Sequence, residues 1–429
     1  MLYFLYGFII EGKFRDIIKY AIPYWLVTWC FYMKFGTFPL CGDEYNIVTS
    51  AEQYSNMNGG FTYLTTYFHM IALMLFPSEL FVVFFKIVLS GIVVGYCIHR
   101  IKKIWNTKLV YLFYLLFLFP PSIELGGNVH RMPMYAMLYL FVACKLICDY
   151  KEKVQLSNRV FIALSILLAM LTTWRSEAFY LVILAPLLIF VSYRIIDKKK
   201  ICIMTIVMLI VQCIVFFPHA MDTYLSNDHY NAQRGNSLFV YSICNMLKEG
   251  LDREEYREEL TKINEFVSIE KIDYMNENMG ERSYGDVYIC FEEGYKGIKE
   301  NCSTEDVLEF QYNVKKIILG EPLLYLKTQL KSWNYISLQY DIKTFSGLIK
   351  FLTGNLYFPT AILIVAFIYY LYKKQWAYWF ITSAFFIHNC ITTILKPAAY
   401  FKYYYHIYLF SGLLVVIWIC KRRAVKANK

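Results

Sequence analysis

Long apolar runs recur along this chain, separated by short basic or mixed polar stretches. A membrane span needs ~20 mainly apolar residues, with a working range of about 17–25. By that measure candidate spans lie near 17–36, 80–99, 109–125, 132–148, 160–174, 178–193, 201–217, 348–372, 376–395 and 403–420. The pattern predicts an all-α, polytopic membrane protein with about ten transmembrane helices. The run at 62–76 is short and carries Thr62, Thr65, Thr66 and His69, so it reads as a helix on the membrane surface or dipping into it. Residues 218–347 break the pattern. They are rich in Glu, Lys and Asn, with amphipathic stretches at 250–277 and 304–336, which predict a helical, water-exposed insert. In Gly320-Glu321-Pro322-Leu323 the proline suits a first helical turn. The helix it opens, with Leu323, Leu324, Leu326, Leu330 and Trp333, is expected to lie on the membrane surface. Three parts follow: a membrane module over 1–217 with a first loop at 38–61, the insert at 218–347, and C-terminal spans over 348–429.

Composition points the same way. Of 429 residues 58% are hydrophobic, 19% aromatic and only 18% charged. Soluble domains carry roughly 25% charged and about 45–50% apolar residues. The net charge of +10 does not indicate nucleic acid, because the basic residues sit in short clusters between the apolar runs. Lys13 and Arg15, Arg100 to Lys103, Lys151 to Arg159, Arg194 to Lys200, Lys373 and Lys374, and Lys421 to Arg423 all fall on one side if 62–76 does not cross. That side is the cytoplasm by the positive-inside rule. Both termini are then expected in the cytoplasm, and 218–347 outside a plasma membrane. Met1 to Ile10 is apolar but has no small-residue cleavage site after it, and reads as an interfacial stretch. The 12 cysteines show no zinc spacing. Cys290 and Cys302, both in the outer insert, are either a disulfide or a free pair.

Charges at membrane depth cost about 2.5–3.5 kcal/mol on insertion scales, so they are candidates for function. They gather on the expected outer side. Asp43 and Glu44 follow the first span. Lys86 lies inside the second. Glu124, His130 and Arg131 cap the third and fourth. Arg175 and Glu177 stand in a turn between two short apolar helices, which should recess that turn. Lys396, Tyr400 and Lys402 precede the last span. Adjacent carboxylates can supply a general base, and cations can clamp a phosphate or diphosphate. Each group also has a plain reading. Asp43 and Glu44 are a solvated pair, Lys86 snorkels, Arg175 and Glu177 close an ion pair, and Lys396 and Lys402 anchor at the interface. His69 and His388 read as satisfied helix-face histidines.

The order of these features resembles the GT-C superfamily of membrane glycosyltransferases, above all its protein O-mannosyltransferase and aminoarabinose-transferase branches. The matching residues are Gly42-Asp43-Glu44 in the first outer loop, Tyr45 to Gly60 leading to the helix at 62–76, and Lys86 where many members have Arg. Arg131 and Arg175-Ser176-Glu177 are similar to the family's outer-face arginines. Thr65-Thr66 stands where the family usually has Pro-Pro, and Lys396 to Lys402 only loosely matches its Arg-Tyr. The resemblance covers roughly residues 1–217. It implies transfer of a sugar from a polyprenyl-phosphate donor to a glycan, lipid or protein acceptor, with Asp43 and Glu44 catalytic and no required cofactor, though the carboxylates could hold a divalent metal. Lys86, Glu124, His130, Arg131, Arg175, Glu177, Lys396, Tyr400 and Lys402 would bind substrate. The alternatives are an O-antigen-type polymerase or ligase, whose late outer segment would carry the chemistry, and a transporter or flippase, which needs midplane polar groups and paired repeats.

Overall fold

The computed structural model describes residues 14–35, 48–49, 51–52, 63–126, 131–175, 178–194, 197–225, 236–280, 284, 303–338, 344–395 and 399–427. Over these residues the protein is all-helical. Helix α1 (Phe14–Phe35) runs along α3 (Glu79–Trp105), and α2 (Tyr63–Leu75) packs against α3 near its start. The tight α1–α3 approach has a definite cause. Gly91 and Gly95 sit one turn apart on α3. A Cβ at Gly95 would stand 2.3 Å from the Ile17 carbonyl oxygen, and one at Gly91 would stand 2.0 Å from Trp25 Nε1. Trp25 Nε1 donates across this contact to the Val88 carbonyl at 3.1 Å. Small residues four apart serve this purpose where lipid supplies no hydrophobic drive between helices.

After α3 the chain forms a 3-10 helix (Lys108–Phe117) and a short α4 (Pro120–Gly126), bent by 67° from each other. Helix α5 (Arg131–Glu152) is the axis of the bundle, and every residue from Arg131 to Asp149 is buried. Around it stand α6 (Asn158–Trp174), whose N-terminal Ser157 caps the Val160 amide, and α7 (Leu181–Tyr193). Helix α8 (Lys198–Leu225) follows on their outer side.

The segment between α8 and the last spans folds around a core of its own. It comprises α9 (Ser237–Lys248), α10 (Arg257–Phe266), α11 (Ile269–Met279), α12 (Thr304–Gly320) and α13 (Pro322–Leu338). Phe266 and Phe310 stack at 4.5 Å in its centre. A capping box starts α12, where Ser303 Oγ accepts from the Asp306 amide at 3.1 Å and Asp306 accepts from the Ser303 amide at 2.8 Å. Helix α13 begins at Pro322, as its sequence predicts. It leaves Leu323, Leu326 and Leu330 exposed and buries Ile336 in the bundle. Tyr325 ties it to the bundle by donating to the Ile394 carbonyl at 2.5 Å. The chain closes with α14 (Phe345–Gly354), α15 (Tyr357–Tyr372), α16 (Trp376–Leu395), a 3-10 turn (Phe401–Tyr404) and α17 (Tyr405–Ala427). Cys290 and Cys302 lie outside the described residues.

Five stretches are long and apolar enough to cross a membrane: Glu79–Trp105, Arg131–Glu152, Gly347–Tyr372, Trp376–Leu395 and Phe401–Lys426. The bent 108–126 pair makes a sixth if it is one span. The expected count of about ten is not reached by this measure among the described residues. The reasons are visible at particular helices. At 17 and 13 residues, α6 and α7 are short, and α1 mixes Lys19, Lys34 and several aromatics with its aliphatic residues.

Charge settles one end of the bundle. Arg100 on α3 donates to Asp149 Oδ1 at 2.7 Å and Glu152 Oε2 at 2.5 Å on α5, and to the Tyr96 hydroxyl at 3.0 Å. Lys145 pairs with Asp149 at 2.9 Å, Lys103 with Glu152 at 3.0 Å, and Tyr193 of α7 donates to Asp149. Asp149 is thus a buried counter-charge shared by three helices. In the sequence Arg100 looks like one more flanking positive charge; here it is buried and paired.

Two predictions arise from these charges. Removing one partner of a buried pair leaves the other uncompensated, a loss of about 3–5 kcal/mol. Asp149→Ala should therefore destabilise the protein by about that much in detergent unfolding, whereas exposed Lys373→Ala at the same end should stay within about 0.5 kcal/mol. In the insert, burial pushes the Glu249 carboxyl up, but hydrogen bonds from Lys331, Tyr284 and Lys327 outweigh it and bring it down to about 2. A carboxylate held below its ordinary value stabilises the fold above that value and loses the contribution as pH falls through the folded one. The insert should weaken between pH 4.5 and about 2. Glu249→Gln should remove that component from an acid titration followed by tryptophan fluorescence or hydrogen exchange.

Candidate functional site

The other end of the bundle gathers polar side chains among apolar helices. Arg131, Tyr135 and Tyr139 recur every four residues on α5 and so share a face, running inward from its first residue. Arg175 follows the last residue of α6 in extended conformation, with φ −136° and ψ 133°. Tyr180 stands just before α7. Helix α16 carries His388, Asn389 and Thr392 on its buried side, the 3-10 turn after it brings Lys402 and Tyr403, and His406 is the second residue of α17.

These groups meet. The Arg175 guanidinium lies 5.3 Å from the Tyr403 ring centre, and Lys402 Nζ lies 5.8 Å from the same ring and 5.1 Å from that of Tyr400. Two cations therefore flank one aromatic face. Beneath them the His388 and His406 rings are 4.0 Å apart, and Tyr135 is 5.8 Å from the first and 6.0 Å from the second. Deeper still, Tyr139 stacks on Phe385 at 4.0 Å and Phe385 on Phe410 at 3.8 Å. From the rim inward the site is cationic, then imidazole and phenol, then aromatic.

The hydrogen bonds orient the middle layer. Tyr180 O–H donates to the Ala384 carbonyl at 3.0 Å, an oxygen that can only accept. The same hydroxyl lies 3.1 Å from that of Tyr139 and 3.0 Å from His388 Nδ1, which the Tyr135 hydroxyl also approaches at 3.5 Å. Among the described residues no group of three or more His, Cys, Asp or Glu side chains is arranged to hold a metal ion.

No family model, curated protein or solved structure matches this chain. Its chemistry has to be read from its own residues. Arg131, Arg175, Tyr400 and Lys402 stand at the end just described. Lys86 is buried, and its Nζ donates to the Leu125 carbonyl at 3.1 Å. Leu125 belongs to the last turn of α4, where the helix dipole favours a cation. An aromatic path joins Lys86 to the arginine turn: Phe85 lies 5.5 Å from Phe68, which lies 5.6 Å from Trp174. Glu124, on the same α4, faces Lys350 at 3.7 Å with both side chains substantially exposed. Asp43, Glu44, His130, Glu177 and Lys396 lie outside the described residues. His69 is satisfied within its own helix, its Nδ1 lying 2.7 Å from the Thr65 carbonyl.

His406, Tyr135, Tyr139, Tyr180, Asn389 and Thr392 escape a reading of the sequence that follows formal charges. Their signal is there nonetheless. His388-Asn389 and Thr392-Thr393 interrupt an apolar run, and His406 sits inside the last one. Neutral polar groups at membrane depth carry the same expectation as charged ones, at lower cost.

The Tyr180 hydroxyl gives the site a test. Tyr180→Phe removes the hydroxyl that the Tyr139 hydroxyl meets at 3.1 Å and His388 Nδ1 at 3.0 Å, and a buried group that loses its hydrogen bond costs about 1–3 kcal/mol. We expect a clear drop in detergent melting temperature for Tyr180→Phe. Tyr369→Phe, exposed on α15, should leave it unchanged.

Proposed function

We propose that this protein is a membrane glycosyltransferase that moves a sugar from a polyprenyl-phosphate donor to an acceptor on the extracytoplasmic face of a plasma membrane. The observation that supports it most is the cationic rim: Arg131, Arg175 and Lys402 gather at one end of an apolar bundle, two of them around Tyr403. Arginine presents a planar fork to phosphate oxygens, and lysine a point charge. Such a rim beside apolar helices suits a lipid whose phosphate stays at the interface while its tail stays in the bilayer. The opposite end holds Arg100, Lys103, Lys145 and Arg194, and the positive-inside trend makes that end cytoplasmic. Both termini are then cytoplasmic, and the insert and the rim face outward.

In this reading the rim holds the donor phosphate and stabilises it as the leaving group. Asp43, beside Glu44, takes the acceptor proton, a role that rests on the resemblance of Gly42-Asp43-Glu44 to the GT-C first loop. General-base assistance contributes roughly 100- to 10,000-fold. A second reading has one observation in its favour. The late segment supplies Lys402, Tyr403 and His406 to the site, as a polymerase or ligase acting on a lipid diphosphate would require.

One assay separates base from clamp. With a polyprenyl-phosphate sugar, Asp43→Asn should lower turnover by about 100-fold or more while donor affinity stays near wild type. Arg175→Ala should weaken donor binding instead. Near-normal turnover by Asp43→Asn, together with activity only on a polyprenyl-diphosphate glycan, would move the assignment to the second reading.

A further inference from the structure

We infer that Asn389, Thr392 and His406 form a subsite for the neutral, hydroxyl-bearing part of the substrate, a sugar ring held below the cationic rim. This deepens the proposed function and rests on it for the nature of the lipid. The observation is a cluster of unsatisfied atoms. Among the described residues, Asn389 Oδ1, Thr392 Oγ1 and His406 Nε2 have no hydrogen-bond partner, although their residues are only 7%, 1% and 1% exposed. Most buried polar side-chain atoms are partnered, and each exception calls for a reason.

Their placement gives one. Asn389 and Thr392 lie about one turn apart on the buried side of α16. Counted at ~1.5 Å per residue, they sit roughly 9 Å and 5 Å inside its Leu395 end. His406 of α17 meets α16 at His388, the residue before Asn389 and one turn before Thr392, and Thr393 and the Tyr404 hydroxyl, 3.3 Å apart, hold the two segments alongside each other. The stacked Tyr139, Phe385 and Phe410 form an apolar wall one layer deeper.

The chemistry of the three atoms selects the ligand. An amide oxygen accepts, a hydroxyl does both, and an imidazole nitrogen does either according to its tautomer. Sugar hydroxyls, which donate and accept, match that set. An ionised phosphate only accepts, so it would use the donors of this set and leave its acceptors idle. Phosphate therefore belongs at the Arg175 and Lys402 rim, with the neutral ring beneath.

A test uses the full chain in nanodiscs and three probes: polyprenyl phosphate, a polyprenyl-phosphate hexose and a short alkyl hexoside. Thr392→Val and Asn389→Leu keep side-chain size and remove the unsatisfied atoms. Each should weaken the two sugar-bearing probes by about tenfold, the factor for one ordinary hydrogen bond, and leave polyprenyl phosphate unchanged. In the absence of ligand the same variants should raise the melting temperature, because an empty subsite gains from losing an unsatisfied buried group. A structural role gives the opposite sign. Thr392→Ser should restore hexoside binding. If the hexoside binds and Thr392→Val abolishes it while polyprenyl phosphate fails to bind the wild type, the subsite stands and the phosphate reading falls. If Thr392→Val and Asn389→Leu destabilise the empty protein, or leave affinity for both sugar-bearing probes at the wild-type value, ordered water satisfies these atoms and the subsite is overturned.

Discussion

Asp149 is the charge on which the arrangement of the bundle turns. An isolated carboxylate there would be expensive, since desolvating an ion costs several kcal/mol even after relaxation. It is tolerable because Arg100, Lys145 and the Tyr193 hydroxyl surround it, and these come from α3, α5 and α7. None of the three helices can slide or rotate without exposing a charge to an apolar environment. Register between them is therefore fixed at one end by electrostatics rather than by shape alone. Helix α5 carries that register to the other end. Eighteen residues, or roughly 27 Å at the α-helical rise, separate Asp149 from Arg131.

The far end uses this rigidity differently. Its side chains come from places where helices start, stop or turn: the first residue of α5, the residue after α6, the approach to α7, and the turn between α16 and α17. Irregular backbone at membrane depth is tolerated where protein or a wet cavity surrounds it. Chain breaks also allow Arg175 and Lys402 to approach one tyrosine ring from unrelated directions. The Gly91 and Gly95 contact brings α1 to the same bundle by a third means, close backbone approach.

How much of this was legible in the sequence depended on the kind of signal. Helix α2 and the start of α13 at Pro322 follow from length, periodicity and a proline in the first turn, and both appear within a residue or so of their expected bounds. The gathering of Arg131, Arg175 and Lys402 at one end follows from one-sided placement of charge. The Asp149 network does not, because Lys145 and Asp149 sit where a span reading ends, and a buried i,i+4 pair there looks like an ordinary helix terminus. Which of Arg100, Lys102 and Lys103 turns inward is a matter of helix rotation, set by α5 and not by the local sequence. The His388–His406 contact joins two spans across a turn, a pairing that no periodicity encodes. Fewer stretches than expected meet the measure of length and apolarity among the described residues for a related reason: apolar content marks burial as readily as it marks crossing, and α6 and α7 are apolar but short.

The brevity of those two helices reaches beyond the protein. At ~1.5 Å per residue, α6 extends about 26 Å and α7 about 20 Å, against roughly 30 Å for a typical hydrocarbon core. If both helices cross, the bilayer on that flank must thin or its headgroups sink toward the arginine turn, at fractions of a kcal/mol per ångström. Hydrophobic mismatch would then make acyl-chain length a variable of this protein's chemistry. A leaflet thinned in that way would bring lipid phosphates to the depth of Arg175 before any side chain moves.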